Sequence, residues 1–291
     1  MPSLKEIKGR ISSVQSTLKI TSAMKLVSSA KLRKAQKAIE AMRPYSESLQ
    51  GILQNLLLSS PAAAGTGPWA EKREGGDVVI VAIASNSSLC GAFNANIIRK
   101  VRELQRDYPE AVVYSIGRKL ADAIRKAGFP SPENLNALAE HPSYEASSAL
   151  SSRLREDFAA GKIGKVLLVY NHFVSTSRQD PTIETFLPAA LPVAGESEPS
   201  EAPTEYILEP DAESVLSALY PRVQDLRFFT ALLDSAAAEH AARTVAMQIA
   251  TDNGEDLLHE ITLQYNKSRQ QKITSEILDL AGGAAGVSSG A

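Results

Sequence analysis

A heptad beat that begins at the fourth residue constrains this chain more than any other feature. Leu4, Ile7, Ile11, Val14 and Leu18 step by three and four, the spacing that keeps apolar side chains on one seam of a coiled coil. The next seam places fall on Thr21, Lys25 and Ser28, and the apolar beat resumes at Leu32, Ala35, Ile39 and Met42. Ser3 stands where a cap belongs, with Glu6 three residues on as its capping-box partner. The spacing predicts a helix from Ser3 to about Leu58, kinked or ended at Pro44. Such a helix cannot hide its seam alone, because an isolated amphipathic helix leaves too much apolar surface in water.

A partner of suitable length lies at the other end of the chain. Arg222 to Ala281 is a run of 60 residues with no Pro and one Gly, Gly254. Its apolar positions keep a period near 3.5 with slips, and "SAAAEHAARTVAMQIA" offers the small side chains that let two helices approach closely. This Ala-rich stretch is the expected neighbour of Thr21 and Ser28. Asp211 is placed to cap the second helical region, which Pro221 is expected to break early.

Between the ends the pattern changes. "DVVIVAIAS" is a continuous β-branched run suited to a strand buried on both faces. "AVVYSIG", "KVLLVYN", "TIETFLP" and "EYILEP" read as further strands, with helices in "GAFNANIIRKVRELQRDYP", "KLADAIRKAG" and "SSALSSRLREDFAAG". The alternation predicts a sheet with helical cover. The architecture is therefore α/β plus coiled coil: a long antiparallel two-helix coiled coil from the N- and C-terminal ends, with an inserted Rossmann-like α/β domain. The expected divisions are 1–58, 76–209 and 211–291. Residues 60–75 and 188–204 read as linker and loose connection, and the tail "GGAAGVSSGA" as a frayed end.

Charge is segregated along the chain. Residues 1–43 carry ten Lys or Arg against two Glu, whereas residues 180–221 carry nine Asp or Glu and no Lys or Arg. Two different partner surfaces follow from that asymmetry. A basic helix also invites a nucleic-acid reading, yet no aromatic precedes Tyr45 and half the helix is committed to a seam. The competing reading is a basic coiled-coil adaptor for nucleic acid or an acidic protein surface. One cysteine, Cys90, excludes an intrachain disulfide and suits a reducing compartment. No apolar run reaches the ~18 residues of a membrane span, and no signal-peptide core opens the chain.

Chemistry-bearing motifs are sparse. Cys90 lies in "SNSSLCGAFN", between a strand and a helix, where a thiolate is favoured, but no local signature supplies the base a cysteine hydrolase needs. A buried structural cysteine is the better reading. The same turn has one Gly where a dinucleotide fingerprint needs three, and "AAGKIGKV" fails the spacing of the nucleoside-triphosphate loop. HExxH and paired CxxC are absent from the sequence. No catalytic residue, cofactor or metal is expected.

"KITSAMKLVSSAKLRKAQ", "LCGAFN" and the long "AARTVAMQIATDNGEDLLHEITLQYNKSRQQKITSEILDLAGGAA" resemble the gamma subunits of bacterial F-type, proton-translocating ATP synthases. The resemblance implies a non-catalytic rotor shaft in a ring of alpha and beta subunits, with the epsilon subunit and the membrane c-ring at its base. Peripheral attachment to the cytoplasmic face of the inner membrane, only through the complex and without nucleic acid, follows from it. So do site roles: Met24 and Arg243 at a beta lever, Arg269, Gln270, Thr274 and Glu276 along the upper shaft, Tyr206 and Glu209 at the c-ring and epsilon contact.

Overall fold

The computed structural model describes residues 3–59, 75–129, 131–188 and 206–288. The elements in chain order are α1 (Leu4–Ser59), β1 (Asp77–Ile83), α2 (Phe93–Asp107), β2 (Val112–Ile116), α3 (Arg118–Lys126), α4 (Asn136–Glu140), α5 (Tyr144–Ala159), β3 (Ile163–Phe173), β4 (Gln179–Leu187) and α6 (Ala212–Ser288). The chain forms two compact units, Met1–Val27 with Ala246–Ala291, and Ser28–Val245. The expected linker, residues 60–74, and most of the acidic connection, residues 189–205, lie outside the described residues.

In the first unit the two helical segments run antiparallel. Lys25 Nζ donates to Gln248 Oε1 at 2.8 Å, and Thr251 Oγ1 donates to Thr21 Oγ1 at 3.0 Å. A methyl at Gly254 would lie 2.7 Å from Leu18 Cδ2, so the two helices are in close contact at this glycine. Positions fall on one side as they rise on the other, which is the antiparallel register. Ile7 and Ile261 are buried further along the same seam. The polar seam place Thr21 is itself buried, so the heptad does not lapse there. Its partner is Thr251, one residue beyond the Ala-rich stretch expected to meet it.

The first part of the Ala-rich stretch packs within the second unit, where Ala237 and Ala241 meet Leu32, Ala35 and Ile39, while its Gln248 meets Lys25 in the first. That unit is organised around a four-stranded sheet of order β2-β1-β3-β4, with β1 parallel to β2 and β3 and with β4 antiparallel at the edge. Alternate residues of a strand face opposite sides, and β1 divides its side chains accordingly. Val79, Val81 and Ile83 join a core with Leu150, Leu154 and Phe158 of α5, Leu53 and Leu56 of α1, and Leu226 and Phe228 of α6. Ile80, Ala82 and Ala84 face Ile97 and Val101 of α2 and Leu120 and Ile124 of α3. The sheet is thus covered on both faces, one cover being made partly by the two terminal helices.

Several boundaries differ from the sequence expectation. Both prolines lie inside continuous helices, Pro44 in α1 and Pro221 in α6. Each removes one backbone donor, and the residues four places earlier, Glu40 and Ser217, are exposed, so water can satisfy the freed carbonyls. "EYILEP" forms no strand over its described residues; Ile207 is 97% exposed, Leu208 packs on the core, and the Tyr206 hydroxyl accepts from Asn55 Nδ2 of α1 at 3.2 Å. The segment lies on a helix rather than a sheet edge. The tail is helical through Ser288 rather than frayed from Gly282. α4 was not anticipated. Both caps form as expected, Ser3 with Glu6 reciprocally and Asp211 Oδ1 on the Ser214 amide.

Candidate functional site

The far end of α6 has an unusual surface. From Arg269 to Leu278 every residue is exposed, including Ile273, Ile277 and Leu278 at 46, 59 and 65%. The cause is a difference in helix length. The register that pairs Thr21 with Thr251 exhausts α1, which starts at Leu4, near Ser268, and α6 continues without it. Arg269, Gln270, Thr274 and Glu276 all lie on this overhang. Thr274 Oγ1 donates to the Gln270 carbonyl at 2.9 Å, and Glu276 stands 3.8 Å from Lys272. Such exposed pairs add little stability. A helix carrying large apolar side chains in water at this density is built to be covered by another surface.

Met24 is half-buried on α1, with Ile20, Leu26 and Val27 exposed around it. Nine of the ten basic residues of positions 1–43 are exposed, Lys25 being the half-buried one. Tyr206 and Glu209 are both exposed, immediately before the cap of α6.

Arg243 is placed differently from the other expected contact residues. It is 8% exposed and its Nη1 donates to Glu239 Oε1 at 2.6 Å, one turn earlier on α6. Burial outweighs the Arg243 and Lys31 charges and holds the Glu239 carboxyl above its usual range. Burial first, then Arg243 and Lys31, depresses the neighbouring His240 imidazole to about 4, so it is neutral near pH 7. These α6 residues form one wall of a cavity of about 350 Å³. Lys31 of α1 and Glu140 of α4 line it too, with Asn86 and Arg118 at the carboxyl ends of β1 and β2.

That strand edge is tightly cross-braced. Gly117 has φ of 110°, and a Cβ there would lie 2.2 Å from the Ala84 carbonyl oxygen, so only glycine admits the approach. Asn86 Oδ1 accepts from the Arg118 amide at 2.9 Å, and Asn86 Nδ2 donates to the Asn136 carbonyl at 2.9 Å. Cys90 is buried beside it, its Sγ accepting from Asn94 Nδ2 at 3.2 Å and lying 3.7 Å from Ser85 Oγ. None of these described neighbours is a base of the kind that nucleophilic chemistry needs. Cys90 and Phe93 pack on Ala238, fixing the "LCGAFN" turn against α6.

A second attachment of the sheet layer to α6 escaped the sequence reading. Arg155 of α5 and Asp225 of α6 form an ion pair almost closed to water. Ser151 Oγ accepts from Arg155 Nη1 at 2.6 Å, and Ser148 Oγ donates to Asp225 Oδ2 at 2.8 Å. On β4, Glu184 pairs with Arg227, whose Nη2 also donates to the Thr185 carbonyl at 3.1 Å. Asp234 Oδ1 accepts from the Phe173 amide at 3.0 Å while Oδ2 meets His172. Three positions of α6, Asp225, Arg227 and Asp234, are thereby tied to α5, β4 and β3.

Comparison with known proteins gives a consistent result. The ATP synthase family model matches residues 3–287. The ATP synthase gamma chain of Phocaeicola vulgatus is 49% identical over 289 residues, 98% of this chain and 99% of that one. That of Flavobacterium johnsoniae is 42% identical over 286 residues, covering 98% of each. Among solved structures, a chain of the Euglena gracilis mitochondrial ATP synthase, seen with OSCP, F1 and c-ring in rotational state 3, aligns with a TM-score of 0.65 at 19% identity. It covers 99% of this chain and 95% of that one. A chain from the rotor of the same enzyme in rotational state 1 gives 0.62 at 19% identity, covering 93% and 98%.

Proposed function

Because the chain belongs to the ATP synthase gamma-chain family, we propose that it is the central rotor shaft of a bacterial F-type enzyme. In that role it is a non-catalytic subunit that passes rotation between a proton-driven c-ring and a ring of catalytic alpha and beta subunits. The observation that carries the reading is the overhang of α6, a single exposed helix rich in uncovered apolar side chains. Arg269, Gln270, Thr274 and Glu276 are its contacts to the beta subunits. Tyr206 and Glu209 serve the c-ring and epsilon contact. The shaft sits peripherally on the cytoplasmic side of the inner membrane, and no described helix is long and apolar enough to cross one.

The physical requirement of such a shaft is differential contact. A shaft that touched every beta subunit equally would shift none of them, since only a difference in interaction energy between states moves an equilibrium. A two-helix stem ending in one helix is asymmetric about its own axis, so each beta subunit meets a different face. At the neck the buried Thr21–Thr251 pair holds the stem together with small side chains. Arg243 acts by bracing its own turn of α6 through Glu239 rather than by an exposed contact.

Met24→Lys tests the coupling role. The added ammonium finds an acidic partner at one angle and loses it at others, which deepens one angular state. Protons pumped per ATP hydrolysed, in vesicles bearing the assembled complex, should fall while subunit content is unchanged. Unchanged pumping and unchanged temperature dependence of turnover would remove Met24 from the coupling surface.

A further inference from the structure

The cavity at the carboxyl edge of the sheet shares Arg243 and Glu239 with the coupling just described, and it is also built as a site. Three of the residues that line it carry a buried polar atom with no hydrogen-bond partner among the described residues: Arg243 Nη2, His240 Nδ1 and Asn136 Oδ1. Leaving such atoms unpaired is unfavourable, most of all for a charged guanidinium. Three of the cavity's side chains, Lys31, Arg118 and Arg243, are cationic, and of its two carboxylates Glu239 is already engaged by Arg243 Nη1. Open α/β sheets bind ligands outside the carboxyl ends of their parallel strands, which is where Asn86 and Arg118 place this cavity.

We propose that this cavity binds a phosphate-class oxyanion, gripped by Arg243 Nη2, the His240 Nδ1–H and the Asn136 carboxamide, with Lys31 and Arg118 adding charge from the exposed side. Each group suits that role. A guanidinium nitrogen is best satisfied by an anionic oxygen. A neutral imidazole can carry its proton on Nδ1, and a carboxamide can turn over to present Nδ2, because neither choice is fixed by the heavy-atom positions. Among the described residues no Phe, Tyr or Trp lines the cavity, so they offer no aromatic platform on which a nucleobase would stack. Free inorganic phosphate therefore suits it better than the phosphoryl end of a nucleotide. This inference does not rest on the shaft role.

The test uses the purified full-length chain, without alpha or beta subunits, in phosphate-free buffer. Inorganic phosphate is titrated while its ³¹P line width and the thermal unfolding midpoint are followed, with ADP and sodium chloride as parallel arms. Saturable broadening by phosphate and a raised midpoint are expected, with no effect of chloride at equal ionic strength. Lys31→Gln and Arg118→Gln, both at exposed positions, should each weaken phosphate binding about tenfold or more, the phosphate-induced shift being read against each variant's own midpoint without phosphate. Arg102→Gln, on the outer face of α2, should change nothing. No saturable effect at millimolar phosphate would overturn the proposal. So would binding indifferent to both substitutions, which marks an adventitious ion only, or saturation by ADP but not by phosphate.

Discussion

Arg155 and Asp225 lie 70 positions apart, and neither carries a local signature, so nothing in the sequence joins them. Their burial makes the pair asymmetric under mutation. Asp225→Ala strands a buried guanidinium and should cost about 3 to 5 kcal/mol in urea unfolding of the full chain. Adding Arg155→Leu should recover much of that loss, because the stranded charge is removed as well. A single-variant loss below about 1 kcal/mol would show that the pair is wetter than its geometry implies. His240 offers a pH test. Its imidazole titrates at about 4 when folded and near ~6.5 when unfolded, so the unfolded chain takes up the proton first. The stability this contributes is intact above pH ~6.5 and is lost as pH falls toward 4. Lys31, Arg118, Glu140, Glu239 and Arg243 face the same cavity, and Glu239, held above its usual range, acts in the opposite direction as pH falls. The comparison is therefore between the natural chain and His240→Gln, which should lose less stability between pH 6.5 and 4. Equal slopes would contradict the assigned burial.

At the scale of elements, the sequence was most legible where a period was sustained. The seam from Leu4 to Met42 and the apolar run of β1 each dictate one structure, and both form. "EYILEP" failed because apolar content says only that side chains seek cover. Leu208 found it on the core, while Tyr206 stays exposed with its hydroxyl on Asn55 of α1, and no strand formed. The break expected at Pro221 failed for the reverse reason, since a local rule about lost donors yields when the freed carbonyl stays wet, and Pro44 likewise does not end α1. The antiparallel register could not be read from either helix alone, because it depends on which small residue meets which. The overhang follows from that register and sets a truncation series. Removing residues 282–291 should leave assembly and most ATP-driven pumping intact. Ending the chain at Lys272 also removes Ile273, Ile277 and Leu278, whose cover by a partner is worth about 1.5 to 3 kcal/mol each. Assembly and pumping should then fall together, and a collapse on losing only the last ten residues would show that the tip is gripped.

For the whole molecule, the account requires that torque pass between the α/β layer and α6 without slippage. The ties made by Asp225, Arg227 and Asp234, and the packing of Cys90 and Phe93 on Ala238, provide that attachment within the second unit. Family and architecture were legible because the terminal helices carry long specific motifs; the cavity was not, because its residues come from five separated stretches. The most direct measurement of the central claim is rotation itself. The complex of this chain with its alpha and beta subunits is immobilised through the beta subunits. A probe is attached at Asp122→Cys, an outward position on α3, in a Cys90→Ser background. With ATP supplied, the probe should turn in one direction at a rate that follows hydrolysis; a probe that stays fixed while the same complex hydrolyses ATP would contradict the account.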